Sequence, residues 1–259
     1  MSILSGEKLY HLQVRKEDVG KYVILPGDPG RVEAIAAYLE DAEKIAQNRE
    51  YTTYTGYLDG EKVSVVSTGI GGPSAAIAVE ELVQCGCHTF IRIGSSGGIR
   101  EDVIGGDLII AAAAVRAEGT SREYLPAGYP AAADFTVTSA LAESARTVLN
   151  GQAHHYHVGI VQSKDSFYGE TNPETMPVAE MLDTQWDAYI RCGCLTSEME
   201  CAAVFSVAIA RGVRAGAVLS VLWNAEREKK GVDNPNNFDM TNGIRCAVEA
   251  VRKLIALDQ

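Results

Sequence analysis

Apolar residues occur along this chain in short runs that alternate with segments of helical spacing. The runs are rich in β-branched residues and predict strands at residues 22–25, 62–67, 89–93, 107–115, 157–162 and 215–223. Most of these runs are nearly continuous rather than alternating, which is typical of strands covered on both faces of a sheet. The pattern therefore indicates a central sheet buried between other layers.

Helical spacing appears between these runs, at residues 31–39, 75–85, 139–149 and 199–211. The clearest helix is the last one, where Ile244, Ala247, Val248, Val251, Leu254 and Ile255 recur at helical spacing. Residues 117–133 have no clear period and are predicted to form a surface loop. No linker or repeat divides the chain, so we expect one α/β domain over residues 1–259, a three-layer sandwich with a mixed central sheet flanked by helices.

Composition excludes several classes of function. The 259 residues carry a formal charge of −11, whereas a nucleic-acid-binding surface needs a broad basic face. The longest apolar run, residues 108–115, is far shorter than the ~20 residues of a membrane-spanning helix. Residues 1–12 lack the apolar core of a signal peptide. With six cysteines and no C-x-x-C pair, we expect reduced, buried thiols and a cytoplasmic protein.

Three glycine-rich turns follow predicted strands, at residues 26–30, 68–73 and 94–98. Ligands of open α/β sheets bind where strands end at their carboxyl edge. Small residues at that edge let backbone N–H groups approach an anion, although glycine also simply permits tight turns. The middle turn lacks a full G-x-G-x-x-G and is interrupted by Pro73, which argues against a dinucleotide site.

Arginines near these turns indicate an anion site. Arg92 lies in a strand that is otherwise apolar, and a core strand tolerates a guanidinium only when it is paired or reaches a ligand. Arg31 follows the first turn, and Arg49 begins the segment REYTT. Together they offer forked, permanently charged donors for phosphate. The alternative is three structural salt bridges, which is the better interpretation of Arg31 and Arg49 taken alone.

Two carboxylates flank a methionine at a predicted strand-to-helix junction, in the segment Ser197-Glu198-Met199-Glu200. A carboxylate at this place can accept hydrogen bonds from the vicinal hydroxyls of a sugar. It can equally be an acid at a helix start, where the helix dipole favours negative charge. The residues alone leave both interpretations open and favour the second.

Six motifs in one order resemble the nucleoside phosphorylase family, and within it the uridine phosphorylases. The motifs are PGDPGRVE at 26–33, REYTT at 49–53, STGIGGPS at 67–74, RIGSSG at 92–97, DSFY at 165–168 and EME at 198–200. They extend, with flanking matches, from about His11 to the last helix. The resemblance implies reversible phosphorolysis, in which a nucleoside and inorganic phosphate give a free base and ribose 1-phosphate, with uridine as the nucleoside and no organic cofactor.

The resemblance also implies a role for individual residues, with Arg92 and Glu200 as the catalytic pair. Phosphate would be held by Gly27, Arg31, Arg92 and Ser95, with Arg49 reaching in from a neighbouring subunit. The ribose would be held by Met199 and Glu200, with His11 donated across the subunit boundary. Ser96, Gly97 and Phe167 would line the base pocket. The family forms dimers and trimers of dimers, and some members bind K⁺ between subunits at positions matching Glu50, Ile70 and Ser74.

The base-binding segment departs from the family pattern. In the family, a glutamine and an arginine bind uracil. Here Glu170 occupies the position of the glutamine, and no arginine is evident at the position of the family's arginine. Arg227, after the last predicted strand, is the candidate to replace the missing base-binding arginine. A carboxylate at position 170 can accept from uracil N3–H, but its charge opposes an anionic leaving base.

Four alternatives remain beside the uridine interpretation. A purine nucleoside phosphorylase would want an acid after the last strand, where this chain has Asn224-Ala225. A nucleosidase has no use for three arginines below the sugar. A non-catalytic nucleoside-binding paralogue would explain the altered base segment. A metal site at His154, His155 and His157 is less favoured than a polar loop, because no carboxylate or cysteine lies near them in sequence.

Overall fold

A computed structural model describes residues 8–259 of the chain. Residues 1–7, which carry most of the segment expected to lack an export signal, lie outside the described part. Ten strands belong to one sheet: β1 (Tyr22–Pro26), β2 (Glu40–Asn48), β3 (Tyr51–Leu58), β4 (Glu61–Val66), β5 (Thr89–Gly98), β6 (Leu108–Ala117), β7 (Ala131–Ala132), β8 (Tyr156–Lys164), β9 (Thr196–Glu198) and β10 (Arg214–Asn224).

Nine helices connect or cover these strands within the described residues. They are α1 (Val32–Ala36), α2 (Gly72–Gln84), α3 (Thr120–Tyr124), α4 (Phe135–Val148), α5 (Phe167–Thr171), α6 (Ala179–Arg191), α7 (Cys201–Arg211), α8 (Ala225–Lys230) and α9 (Thr241–Asp258). Within residues 8–259, none of these helices is long and apolar enough to cross a membrane.

The sheet is mixed, as the sequence predicts, and part of it closes on itself. Strands β1, β4, β5 and β10 are joined by parallel pairings, while β2, β3 and β4 pair antiparallel. Beyond β5 the order continues through β9, β8, β6 and β10, and β10 then pairs with β5. Five strands therefore form a closed ring, which the sequence pattern does not predict.

Two hydrophobic cores lie on the two faces of the sheet, and strand β1 contributes to both. Val23 and Leu25 pack with α2 and α7, whereas Tyr22 and Ile24 pack with α1, α4 and α9. Successive side chains of a strand point to opposite faces, so a continuous apolar run supplies both cores. The expected arrangement of helices flanking a central sheet is confirmed.

Several predicted boundaries shift for physical reasons. Residues 94–98, expected as a turn, continue β5 because β10 and β9 supply hydrogen-bonding partners along them. The predicted loop at 117–133 contains the short α3 and β7. The predicted helix at 31–39 is α-helical only over α1, and the chain then enters β2 at Glu40.

Five of the six cysteines are buried, as the composition predicts, and Cys192 is the exception. All six are free thiols. Burial raises the pKa of the Cys85 thiol to about 11, so it stays protonated at neutral pH.

Candidate active site

A cavity of about 650 Å³ opens at the carboxyl ends of β1, β5 and β10. The loops after β1 and β4, the glycine-rich end of β5 and the start of α7 contribute to its walls. This is the edge at which ligands of α/β sheets bind. The cavity therefore gathers segments that are far apart in sequence.

Four of the residues predicted to bind phosphate line the cavity: Gly27, Arg31, Arg92 and Ser95. A Cβ atom at Gly27 would lie 3.3 Å from the carbonyl oxygen of Gly69, so only glycine lets these loops approach so closely. Arg31 directly precedes α1 and makes a loose contact, 3.8 Å from Nε to Asp28 Oδ2. The Arg31 side chain is therefore not locked in a structural ion pair.

Arg92 is buried and combines the two roles proposed for it. Its Nε donates to Glu198 Oε2 at 3.1 Å, and its Nη2 donates to Glu200. Its Nη1 has no hydrogen-bond partner within residues 8–259, although the side chain lines the cavity. Burial opposes the charge, but the Glu200 and Glu198 carboxylates outweigh it and raise the pKa of Arg92. Arg92 is thus a permanent cation with one donor group to spare.

Glu198 is a structural anchor at the start of α7. Its carboxylate accepts from the backbone N–H groups of Glu200 at 2.8 Å and Cys201 at 3.0 Å, as well as from Ser163. With Arg92 added, its oxygens are fully occupied. The helix-start interpretation of this segment therefore holds for Glu198.

Glu200 is placed differently, since it is one of the residues that line the cavity. Its Oε1 accepts from the backbone N–H of Gly71 at 2.5 Å, and Gly71 has φ +91°, a backbone conformation that favours glycine. Burial raises the pKa of Glu200, while the Arg92 charge opposes that shift. The neighbouring Met199 also lines the cavity.

The predicted base-binding residues Ser96, Gly97, Phe167 and Glu170 also line the cavity. The hydroxyl of Ser96 is buried and has no hydrogen-bond partner among residues 8–259. A Cβ at Gly97 would lie 3.2 Å from the ring of Trp223, so the glycine leaves room for that indole. This set therefore combines two aromatic side chains, Phe167 and Trp223, with polar groups.

Lys164, at the end of β8, is a cavity residue that the sequence reasoning missed. Its Nζ donates to Glu170 Oε1 at 2.7 Å and to Ser197 Oγ at 2.5 Å, and the side chain is buried. A signal was present, because a lysine that closely follows a run predicted to be a buried strand needs a partner in the same way as Arg92 does. That partner is Glu170.

Four predicted residues do not line this cavity: His11, Arg49, Ser74 and Arg227. His11 Nδ1 lies 2.7 Å from Glu81 Oε1. Arg49 is exposed in the turn between β2 and β3. Arg227 donates to the carbonyl oxygens of Asp233 at 2.6 Å and Glu101 at 2.7 Å. Its guanidinium therefore forms hydrogen bonds outside the cavity.

Two of the three residues predicted to bind K⁺ line the cavity, and the third contacts one of them. Glu50 and Ile70 line it, and Ser74 Oγ donates to Glu50 Oε1 at 2.7 Å. Hydrogen bonds from its own backbone N–H and from Ser74 lower the pKa of Glu50, which keeps it ionised. Carboxylate, hydroxyl and carbonyl oxygens suit a hard cation, so these donors fit K⁺.

His154 and His155 lie just before β8, and His157 lies within it. His157 Nε2 lies 3.0 Å from Asp107 Oδ2, and the backbone N–H of His155 donates to Asp107 Oδ1. Within the described part of the chain, no cluster of three or more His, Cys, Asp or Glu residues could hold a metal ion.

Comparisons with known proteins agree with this geometry. A family model described as "Phosphorylase superfamily" matches residues 21–256. The chain is 51% identical over 256 residues to the uridine phosphorylase of Treponema pallidum (strain Nichols), covering 99% of this chain and 98% of that protein. It is 38% identical over 259 residues to the uridine phosphorylase of Escherichia coli (strain K12), covering 97% and 100%. It is also 39% identical over 251 residues to the guanosine phosphorylase of Halorubrum lacusprofundi (strain ATCC 49239 / DSM 5036 / JCM 8891 / ACAM 34), covering 94% and 98%.

Proposed function

Because this chain belongs to the phosphorylase superfamily, we propose that it catalyses the reversible phosphorolysis of uridine to uracil and ribose 1-phosphate. The observation that carries the proposal is the spare donor of Arg92. A buried guanidinium with an unpartnered Nη1, lining a cavity of about 650 Å³, calls for an anionic ligand. Inorganic phosphate is that ligand and the co-substrate.

Phosphate is held by Gly27, Arg31, Arg92 and Ser95 in this proposal. The backbone N–H of Gly27 and the hydroxyl of Ser95 are neutral donors, and the two guanidinium groups supply the positive charge. The loose contact of Arg31 with Asp28 supports this role, since a dianion competes well for such a partner.

Glu200 anchors the ribose through its 2′ and 3′ hydroxyls, with Met199 packed against the sugar. As the glycosidic bond stretches, positive charge grows on the ribose ring and the phosphate beneath C1′ stabilises it. No protein nucleophile is needed, so catalysis rests on positioning and preorganised charge. The fixed position of Glu200 between Gly71 and Arg92 supports this role.

Phe167, Ser96, Gly97 and Glu170 surround the base. The unpartnered hydroxyl of Ser96 supports a polar contact with the base, because a buried hydroxyl without a partner is costly. Arg227 has no role in this proposal, since its donors are used by carbonyl oxygens elsewhere.

The enzyme is proposed to be a homo-oligomer, a dimer or a trimer of dimers, whose sites are completed by Arg49 and His11 of a neighbouring copy. The exposure of Arg49, directly before a residue that lines the cavity, supports this arrangement. K⁺ is proposed to bind at Glu50, Ile70 and Ser74 between copies. We also propose that residues 1–259 form a single domain, which one continuous sheet supports. A cytoplasmic location is proposed as well, and the free thiols support it.

Phosphorolysis of guanosine is a second candidate, favoured by the Halorubrum relative. The two oxygens of Glu170 can accept from the N1–H and the amino group of guanine. The Asn224 side chain is not free to bind a purine. Its Oδ1 accepts from the backbone N–H groups of Glu226 and Arg227 at the start of α8, and its Nδ2 donates to the carbonyl oxygens of Arg100 and Val103.

A nucleoside panel assayed with and without phosphate tests the proposal by following base release. We expect uridine to be cleaved only when phosphate is present, with ribose 1-phosphate as the second product. Cleavage in phosphate-free buffer would make the protein a nucleosidase. Binding of uridine without any product would make it a non-catalytic paralogue, and a preference for guanosine would select the second candidate.

A further inference from the structure

We propose that Glu81 is a positioning residue for the active site of the neighbouring copy, because it orients His11 and fixes which ring nitrogen of His11 carries the proton. This inference rests on the proposed phosphorolysis and on the proposed donation of His11 across the subunit boundary. It assigns a task to a buried carboxylate that the proposed reaction does not otherwise use.

Glu81 lies on the buried face of α2, where a carboxylate is unusual. Its side chain is 9% exposed, and the next residue, Leu82, is fully buried. Glutamate is rarely buried unless its charge is paired or accepts hydrogen bonds. The carboxylate accepts from the backbone N–H of His11 at 3.0 Å and from that of Leu12 at 2.8 Å. Glu81 therefore holds one short segment near the start of the chain against α2.

The ring of His11 supplies a further hydrogen bond. Its Nδ1 lies 2.7 Å from Glu81 Oε1. A carboxylate accepts and does not donate, so Nδ1 is the nitrogen that carries the proton. In a neutral imidazole the other nitrogen, Nε2, is then an acceptor. The His11 side chain is 29% exposed, so Glu81 fixes the ring at one nitrogen while part of it still faces outward.

The same segment is joined to the turn that carries Arg49. Asn48 Nδ2 donates to the carbonyl oxygen of His11 at 2.8 Å. Arg49 follows Asn48 directly and has φ +54°, a left-handed backbone conformation that is uncommon outside glycine. The two side chains proposed to reach the neighbouring copy therefore belong to one hydrogen-bonded unit, and Glu81 anchors that unit to α2.

The hydroxyl that His11 binds follows from the rest of the proposed site. The ribose of a nucleoside has free hydroxyl groups at its 2′, 3′ and 5′ positions, and Glu200 is proposed to hold the first two. The 5′ hydroxyl is left for His11, and it donates to the lone pair of Nε2. Without the Glu81 carboxylate the ring can turn and either nitrogen can carry the proton, so this contact loses its fixed geometry.

A comparison of uridine with 5′-deoxyuridine tests the inference in Glu81→Gln, which keeps the size of the side chain. At saturating phosphate we expect kcat/KM for uridine to fall ~10-fold, because one hydrogen bond to the ribose is lost. For 5′-deoxyuridine, which lacks that hydroxyl, we expect a change of no more than ~2-fold. Glu80→Gln, the adjacent position on the same helix in a surface pair with Arg211, is the matched control and should leave both values unchanged.

A double-variant cycle separates positioning from support of the fold. His11→Phe keeps a ring but removes both nitrogens, so adding Glu81→Gln to it should have no further effect on uridine cleavage. A purely structural role predicts equal losses on uridine and 5′-deoxyuridine, and the same loss with or without His11. That result would overturn the inference. All rates are measured below the melting temperature of each variant, which keeps unfolding from imitating a kinetic effect.

The effect of Glu81 should also cross the subunit boundary. In mixed pairs of Glu81→Gln and Arg92→Ala copies, the site that keeps Arg92 receives His11 and an intact Glu81 from the other copy. We expect these pairs, isolated through two different tags, to prefer uridine over 5′-deoxyuridine nearly as strongly as the wild-type protein does. A preference as weak as in pure Glu81→Gln protein would overturn the inference.

The outcomes separate this inference from the proposed function. The contrary results above remove only the role of Glu81, whereas a wild-type protein that cleaves no nucleoside in the presence of phosphate would overturn both. If Glu81→Gln does not fold, ¹⁵N spectra of histidine-labelled wild-type protein decide at a pH where the His11 ring is neutral. His11→Phe identifies the signals. A proton on Nδ1 supports the inference, and a proton on Nε2 contradicts it.

Discussion

The three nitrogen atoms of the Arg92 guanidinium have three different roles. Its Nε and Nη2 neutralise Glu198 and Glu200, and its Nη1 is left for a ligand. One guanidinium against two carboxylates leaves the buried group with a formal excess of one negative charge, which binding of a phosphate beside them would increase. In the proposed site, Arg31 and Arg49 of a neighbouring copy add the two positive charges that offset those of a phosphate dianion.

We predict that Arg92→Ala lowers phosphorolysis by at least ~100-fold, because a charged hydrogen bond to the reacting group is lost. The same change strands two buried carboxylates, so the melting temperature should fall as well. Initial rates measured well below that temperature, with uridine and phosphate varied in turn, check the prediction.

The control for this variant is Arg211→Ala, which removes a surface pair with Glu80 and should change neither the rate nor the melting temperature by much. Near-normal turnover in Arg92→Ala would remove Arg92 from the phosphate site.

The sequence predicts Arg92 because a charge inside an apolar strand is conspicuous, and it points to Glu200 through the family motif. The sequence does not predict that Glu198 has a structural role while Glu200 lines the cavity, since the two carboxylates are only two residues apart. Only the backbone geometry at the start of α7 shows that Glu198 is occupied by N–H groups. The Lys164–Glu170 pair is missed because a spacing of six residues does not show that α5 places Glu170 against the end of β8.

The apolar pattern predicts the last helix but misses α6 and β2. Helix α9 buries Leu254 and Ile255 and shows a clear apolar stripe. Helix α6 has no buried residue, and most positions of β2 are exposed and polar. Strand β2 is held by its pairing with β3, which is a contact between distant backbones rather than a property of its own side chains.

Helix α9 offers a matched pair of leucines for testing how much its packing stabilises the fold. Leu254 is fully buried, whereas Leu257 is 66% exposed. We predict that Leu254→Ala lowers the free energy of unfolding by about 2–5 kcal/mol, because it removes buried methyl groups and leaves a cavity. Leu257→Ala should change it by no more than about 0.5 kcal/mol. Urea unfolding of both variants measures the difference, and equal effects would contradict the assignment of this face to the core.

The cavity brings Arg31, Arg92 and Lys164 together in a molecule whose net charge is −11. Arg49 and His11 lie outside the cavity of their own chain, so a site complete in phosphate-binding groups requires a second copy in the proposed oligomer.

A mixing experiment tests this shared site. We predict that Arg49→Ala and Arg92→Ala are each inactive as pure proteins, yet that co-expressed mixtures regain activity. In a mixed pair one site receives Arg92 from one copy and Arg49 from the other, so random pairing should restore about a quarter of the wild-type rate. Differently tagged copies, purified through both tags, isolate the mixed assemblies for the assay. If those mixed assemblies are inactive, each site lies within a single chain and the shared-site prediction is wrong.

The contact of Trp223 with the cavity has a practical consequence. The chain has two tryptophans, and the other, Trp186, donates its indole N–H to Glu226 rather than lining this cavity. A Trp186→Phe protein would therefore have a single indole emitter beside the nucleoside. Its intrinsic fluorescence would report occupancy in real time without a dye, and would separate the speed of substrate arrival from the speed of bond cleavage.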